Sequence, residues 1–570
     1  MVSPRPTAPL PAAANLDDPL YYLRNLETVV GWVLDHHSDL LVPAERRRLS
    51  ACLALPTAAR ALLTRLIMRT GELFRADKLR YPELGVPEAE ALATLVAEGW
   101  LDDEPILAAP ELFRLCTLGE LRPAFAGWLA EQGLTPTLAK GPLLEAVSAG
   151  FADPRPLSQW LDRPEIRVVR LAHMALFDRV RLMFFGNLRQ SWSDFVLVEL
   201  GHQRYETVPL TPDGRAFQHR SEVDLYLAMH ECREQLDQGL PAADVWRQVP
   251  PATDNPWLTR RRDRLLLELG RQVERQGDRP LALAALTESG HREAGLKRLR
   301  LLERMRRHAE AWDLARRWYA RDDLTDAEAQ GLARILKRLA ARQGEPAPAL
   351  AEPPAIQAFE LDLPNPAPQS VEWAVAQHLW RDDAPVHYVE NTLFTALFGL
   401  LCWPAIYAPV PGAFFHPFHV GPADLNDEGF VGRRRDRFED CLAALDDGTY
   451  EDRIRAIYAA KQGVSNPFVV WPVITPDRLD LALHCLPADH LKPLFRRLMA
   501  NVREHRSGFP DLIRFFPDRP SDEIRYELIE VKGPGDRLQD HQVRWLEFFA
   551  RQGMPARVCY VRWQGEAPAP

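Results

Sequence analysis

The chain of 570 residues reads as a multidomain, mainly α-helical protein ending in an α/β domain. Three observations carry that reading. The length is several times that of a typical domain, which calls for three or more. Apolar residues recur at helical spacing through most of the stretch from Tyr21 to Arg342. Beyond the prolines between Gly344 and Pro368 the pattern changes, and short runs rich in β-branched and aromatic residues, Tyr526 to Lys532 and Ala556 to Trp563, alternate with helical ones.

Composition narrows the classes further. Hydrophobic residues make up 46% and charged residues 26%, as in ordinary globular proteins. A formal net charge of -9 excludes a chain coated in basic charge, so any nucleic-acid contact must come from local patches. The seven cysteines are scattered without a C-x-x-C pair, which points to neither a zinc site nor a disulfide framework and fits a reducing cytoplasm. No basic leader precedes an apolar run, and no segment reaches the roughly 20 apolar residues of a membrane span. A cytoplasmic protein without membrane contact is expected.

In chain order, residues 1–110 read as a helical and winged-helix-like region after a Pro/Ala-rich tail. Helical runs from Tyr21 to Leu34 and from Ala58 to Phe74 precede Leu79-Arg80-Tyr81, a helix from Pro87 to Glu98, and Gly99-Trp100-Leu101 as a cap leading into a strand. That order suits a duplex-binding winged helix or a plain helical scaffold. Arg65, Arg69, Arg75, Lys78 and Arg80 favour the former. Residues 111–255 hold two short helices joined through Gly133-Leu134, with Lys140 opening the second, a loose match to a SAP-type DNA-binding element and equally to a structural helix pair. The apolar runs Leu182 to Phe185 and Phe195 to Gly201 read as core. Residues 256–345 are nearly continuous helix, with Ala282 and Ala285 where paired helices approach closely, and suggest short tetratricopeptide-like repeats. Residues 346–370 read as a linker, and residues 371–565 as the last domain.

The chemistry is concentrated in that last domain. Tyr526 to Lys532 is a strand stopped by Gly533-Pro534-Gly535, so Glu530 and Lys532 share one face with Val531 opposite. Asp511 opens a second strand, Asp511 to Phe516, and can bring another carboxylate to the same space. Two carboxylates and a backbone carbonyl form an oxygen-only set suited to Mg²⁺ or Mn²⁺. A neighbouring lysine orients or deprotonates the attacking water. These are the parts of metal-assisted phosphodiester hydrolysis. A plain ion pair on a solvated strand face would use the same two residues, but it gives no reason for the Gly-Pro-Gly turn, which lets a backbone approach a ligand closely. Glu390, early on an apolar helix predicted from His387 onward, needs a partner, either a metal or an arginine. Arg433, Arg434 and Arg435 offer phosphate contacts, or are satisfied by Asp436 and Glu439. Gln542 falls on the first turn of a helix from Asp540 to Gln552, near the Glu530 strand if the two pack together.

With Pro510-Asp511 and Glu530-Val531-Lys532 in the motif positions, this domain resembles the PD-(D/E)xK nuclease superfamily. The extended run from Val531 to Leu538, followed by Gln542 and Trp545-Leu546, resembles a VRR-NUC domain. Together with Leu79-Arg80-Tyr81, Gly99-Trp100-Leu101, Phe184-Phe185-Gly186-Asn187 and the helical repeat, nearly the whole chain is similar to the Fanconi-associated nuclease family. The resemblance implies metal ligation by Glu390, Asp511, Glu530 and the carbonyl of Val531, with Lys532 catalytic. It implies cleavage of branched DNA near a 5′ flap and 5′-to-3′ degradation in interstrand crosslink repair. The family's eukaryotic ubiquitin-binding zinc finger has no Cys/His counterpart here, so a bacterial-type member without ubiquitin recruitment is expected. An inactive DNA-structure-binding scaffold and a restriction-type or RNA nuclease are the competing readings. Intact Asp511, Glu530 and Lys532 oppose the first, and the lack of a sequence-reading or base-stacking module opposes the second.

Overall fold

A computed structural model describes residues 18–190, 192, 204–210, 212–346, 352–365 and 368–564. The Phe195 to Gly201 run, the two tails and parts of the proline-rich stretch lie outside them. The chain divides into two compact units, Met1–Gln203 with Phe217–Val223, and Arg204–Ala216 with Asp224–Pro570.

In the first unit, the helices Tyr21–His36 and Thr57–Ile67 pack together through Leu23, Val29, Val30, Leu62, Leu63 and Leu66, all shielded from solvent. The helix Glu88–Ala97 ends where Gly99 turns left-handed, and Trp100 is buried just before the strand Leu101–Asp102. That strand and Leu73–Arg75 both pair antiparallel with Val168–Leu171, giving a three-stranded wing. The wing's middle strand therefore arrives only after the intervening helix pair, Leu118–Glu131 and Lys140–Gly150. Leu182, Met183, Phe184 and Phe185 are core, as their apolarity predicts.

In the second unit, the five helices Pro256–Arg275, Arg279–Glu288, Arg292–Arg304, His308–Tyr319 and Asp326–Gln343 each pack on the next. Ala282 and Ala285 are fully buried, and a Cβ on Gly270 would meet Leu286 Cγ at 2.8 Å. Small residues let these helices touch.

The α/β domain is built on a five-stranded sheet in the order Gln357–Leu363, Ala556–Trp563, Tyr526–Lys532, Leu512–Phe515, Val386–Tyr388. The first three run parallel and the last two are antiparallel to their neighbours. This corrects the linker reading: Gln357–Leu363, inside the proline-rich stretch, is the sheet's edge strand, paired along its full length with Ala556–Trp563. Its alternating pattern, Phe359, Leu361 and Leu363 against Glu360 and Asp362, is the strand signal that flanking prolines conceal, and prolines are tolerated beside an edge strand. On one face of the sheet, Ile529, Val531, Leu512, Val561 and Leu363 pack against Val375 of the helix Val371–Leu379. On the other, Tyr526, Leu528, Ile513 and Phe515 join the large core with Trp545 and Phe549 of the helix Asp540–Arg551.

Candidate active site

The alternation that buries Tyr526 and Leu528 on the second face carries Glu530 and Lys532 out on that same face, at the strand's C-terminal end. Lys532 Nζ lies 2.7 Å from Glu530 Oε1, so the two side chains do point into one space. Gln542, on the first turn of the helix above, donates from Nε2 to the same oxygen at 2.6 Å. The other oxygen, Oε2, is buried with no hydrogen-bond partner.

Asp511 precedes its strand. Continuing the register Leu512 to Ile529 by one position sets it opposite Glu530, on the same face. Its Oδ2 accepts the Val531 N–H at 2.7 Å, in place of a ladder bond. Because the N–H and C=O of one strand residue face the same neighbour, the Val531 carbonyl is directed to the Asp511 side as well. Two carboxylates and a carbonyl thus surround one spot, and with an orphaned carboxylate oxygen they fit a hard divalent cation.

Burial raises the pKa of both carboxyls. Glu530 is pushed up to about 7, first by desolvation and next by Asp511, against the attraction of Lys532. Asp511 is pushed up to about 6 by desolvation, which the Val531 N–H and Lys532 oppose, with Glu372 and Glu390 adding to the rise. Each proton is held because the loss of water around the charge outweighs what Lys532 and the nearby N–H groups return.

Glu390 departs from its predicted setting. Val386–Tyr388 is a strand and the helix starts only at Leu393, so Glu390 sits at the corner between them and not on the helix. Its carboxylate accepts from Tyr388 Oη and from Asn391 Nδ2. Asn391 adopts a left-handed φ of 53°, and its Oδ1 accepts the N–H groups of Gly508 and Phe509 at 2.8 and 3.2 Å. One asparagine therefore ties the Glu390 corner to the loop that delivers Asp511. Among the described residues, no three His, Cys, Asp or Glu side chains are closed around a single point. Glu390 is near enough to add to the upward push on both other carboxyls, with its oxygens engaged on Tyr388 and Asn391.

A VRR-NUC domain model matches residues 445–563, a FAN1 HTH domain model residues 20–102, and the Fanconi anemia-associated nuclease SAP domain model residues 107–160. The Fanconi-associated nuclease 1 homolog of Pseudomonas aeruginosa is 46% identical over 559 residues, spanning 98% of each chain. The chain belongs to the Fanconi-associated nuclease family. It is accordingly a DNA nuclease, a phosphodiesterase of the divalent-metal-dependent kind. The human Fanconi-associated nuclease 1 is 24% identical over 659 residues, covering 95% of this chain and 62% of the human protein. A crystal structure of paFAN1 bound to 5′-flap DNA with a gap superimposes with a TM-score of 0.88 at 45% identity, covering 97% of this chain and all of the other.

The basic residues singled out in this family member meet different fates. Arg434 is buried and bonded to both oxygens of Asp424, at 2.7 and 2.9 Å, so it faces the interior and not DNA. Arg433 shares that aspartate through Nε at 3.0 Å. The partner is Asp424, not the adjacent Asp436 or Glu439, because the 3-10 turn Gly432–Arg434 points both side chains back at the preceding loop. Arg435, which opens the next helix, is exposed. Lys140 opens its helix as expected and donates to the Cys116 carbonyl at 2.8 Å. In the winged region, Arg75 is clasped by Asp77 and Glu120, and Arg65 by Glu83, which removes both from the list of free cations.

Sequence reasoning passed over Tyr388, Asn391 and Glu372. The signal for Asn391 was available, since asparagine is the residue that tolerates a left-handed turn between strand and helix.

Proposed function

We propose that this chain is a structure-selective DNA nuclease that cuts near 5′ flaps and degrades DNA 5′ to 3′ in interstrand crosslink repair. Mg²⁺ or Mn²⁺ is the cofactor and the bacterial cytoplasm, at the nucleoid during repair, the setting. The observation that carries the reading is the Glu530, Lys532 and Asp511 constellation, with one buried carboxylate oxygen left unsatisfied. Asp511, Glu530 and the Val531 carbonyl would hold the ion, and Glu390 would complete the set by leaving Tyr388 or Asn391. The ion supplies Lewis-acid polarisation of the phosphoryl oxygen when bound. Lys532 orients the attacking water and takes or offsets its proton, and its contact with Glu530 holds the amine at the reacting point. Gln542 engages Glu530 Oε1, and the unpartnered Oε2 would be the oxygen that holds the ion. The winged helix, the SAP element and exposed cations such as Arg435 bind the branched duplex through its phosphates. Similarity to paFAN1, crystallised with flap DNA, supports the substrate. We divide the chain as its sequence suggests, except that the nuclease domain begins ahead of Gln357 and the winged region takes its middle strand from Val168–Leu171.

The test is cleavage of a labelled 5′-flap duplex beside nicked duplex, single-stranded DNA and RNA, with Mg²⁺ or Mn²⁺ and with chelator. Cleavage confined to flap DNA, abolished by chelator and by Asp511→Ala or Lys532→Ala with binding retained, is the expected result. Wild-type cutting by either variant would overturn the assignment.

A further inference from the structure

The strand that ends in the catalytic pair begins at a second, differently built site. Around its first residues, Arg381, Arg514, Arg519 and Arg557 line an open cavity of about 450 Å³, with Phe516, Ile524 and Tyr526 among its walls. The sheet explains the gathering. Arg514 lies directly opposite Glu527, and Arg557 is opposite Ile529 on the other side, so all three project from the face that carries Ile529 and Val531. Arg381 lies just beyond the helix Val371–Leu379 that covers the rest of this face.

The charges do not balance. Glu527 is the carboxylate in the lining, and Arg557 holds it at 2.5 Å. Arg519 stacks on the Phe516 ring at 3.8 Å and donates to the Ile524 carbonyl. The Arg514 guanidinium lies over the same ring at 5.2 Å, half-buried, and has neither a hydrogen bond nor an ion pair to any described residue; its Nε is fully shielded. Burial and the nearby Arg381 both press its pKa down, against a weaker pull from Glu527 and Asp383. A half-buried guanidinium without an acceptor is unfavourable, and an anion offering several oxygens relieves it. Phosphate matches the planar fork of arginine. The volume lies in the range of small-molecule pockets, roughly 300 to 1,000 Å³, which admits a nucleotide and no duplex. The apolar wall of Phe516 and Ile524 offers a flat ring a place beside the charges.

We propose that this cavity binds a phosphate-bearing small molecule of mononucleotide size, at a site separate from the catalytic carboxylates. Glu527 and Glu530 are three residues apart, about 10 Å along the strand, so the two sites share a rigid element without sharing ligands.

Calorimetric titration of the full chain, with chelator present so that the carboxylates cannot recruit phosphate through a metal, tests this. The probes are deoxyadenosine monophosphate, inorganic pyrophosphate and deoxyadenosine. The two phosphate-bearing probes are expected to bind and deoxyadenosine is not; tighter binding of the monophosphate than of pyrophosphate identifies a nucleotide as the natural class, and the reverse a free phosphate. Arg514→Gln should weaken binding about tenfold or more. Arg519→Gln, at the exposed end of the cavity, should do so too and covers the case in which the Arg514 variant fails to fold. Glu530→Gln should bind as the wild type does. The proposal is overturned if neither phosphate probe binds at low-millimolar concentration, if the arginine variants bind normally, or if Glu530→Gln abolishes the signal.

Discussion

A carboxylate as enclosed as that of Glu530 is at ease as an ion only when positive charge meets both of its oxygens, and here Lys532 and Gln542 meet one. The raised pKa turns this into a statement about stability. Below the ordinary glutamate value, near 4.5, the group is protonated whether the chain is folded or not, and folding is unaffected. As pH rises toward about 7 the unfolded chain sheds the proton first, so the metal-free fold loses stability across that window. Glu530→Gln removes the charge. In chelator at pH 8 it should therefore be more stable to urea than the wild type, by up to about 3 kcal/mol at 1.36 kcal/mol per pKa unit, with the gain gone at pH 4.5. Equal destabilisation at both pH values would contradict the account. The same protons must leave before a cation binds, so metal affinity should climb with pH through 6 to 7. Gln542→Ala frees Glu530 to turn away, and should raise the metal concentration for half-maximal cleavage about tenfold while leaving flap binding alone, as measured by titrating Mn²⁺.

The elements place these side chains through one crowded loop. Gly508 has φ 93°, and a Cβ there would meet His541 Cδ2 at 2.5 Å and Trp545 Cδ1 at 3.1 Å. Gly508→Ala is expected to cost about 1–3 kcal/mol and to cut activity disproportionately, because relief of the clash moves Asp511 and the helix bearing Gln542 apart. Thermal melting with parallel single-turnover cleavage checks this, and a variant with wild-type melting and activity would refute it. Much of this arrangement was legible in the chain. Tyr526–Lys532 and Ala556–Trp563 have the predicted bounds, because each is a β-branched run cut off by turn residues. The Glu390 corner was not, since three strand residues followed by an apolar helix look like one helical run. The edge strand Gln357–Leu363 escaped notice for a different reason: its pairing with Ala556–Trp563 is non-local, and the surrounding prolines outweigh its short alternation. The choice between phosphate and carboxylate for Arg434 stays open in the sequence, because nothing in a triple arginine tells which member turns inward toward Asp424, ten residues back.

For the molecule as a whole, an acidic chain that must grip a polyanion depends on which arginines remain available. Many are spent internally: Arg292 on Glu328 and Glu428, Arg260 on Asp427, Arg433 and Arg434 on Asp424. Counting basic residues therefore overstates the phosphates the protein can neutralise, and the salt dependence of binding measures the true number. Three adjacent arginines separate the two roles. Arg434→Ala leaves Asp424 half-paired in the interior and should destabilise the fold by about 3–5 kcal/mol, with the folded fraction binding DNA at an unchanged salt slope. Arg435→Ala should melt like the wild type, bind flap DNA more weakly whatever its sequence, and lower the slope of log Kobs against log salt by about 1. Fluorescence anisotropy between about 50 and 200 mM salt, beside urea unfolding of each variant, reads both effects. If Arg435→Ala leaves the slope intact, the cations that hold the duplex lie elsewhere, and the exposed end of this helix is surface only.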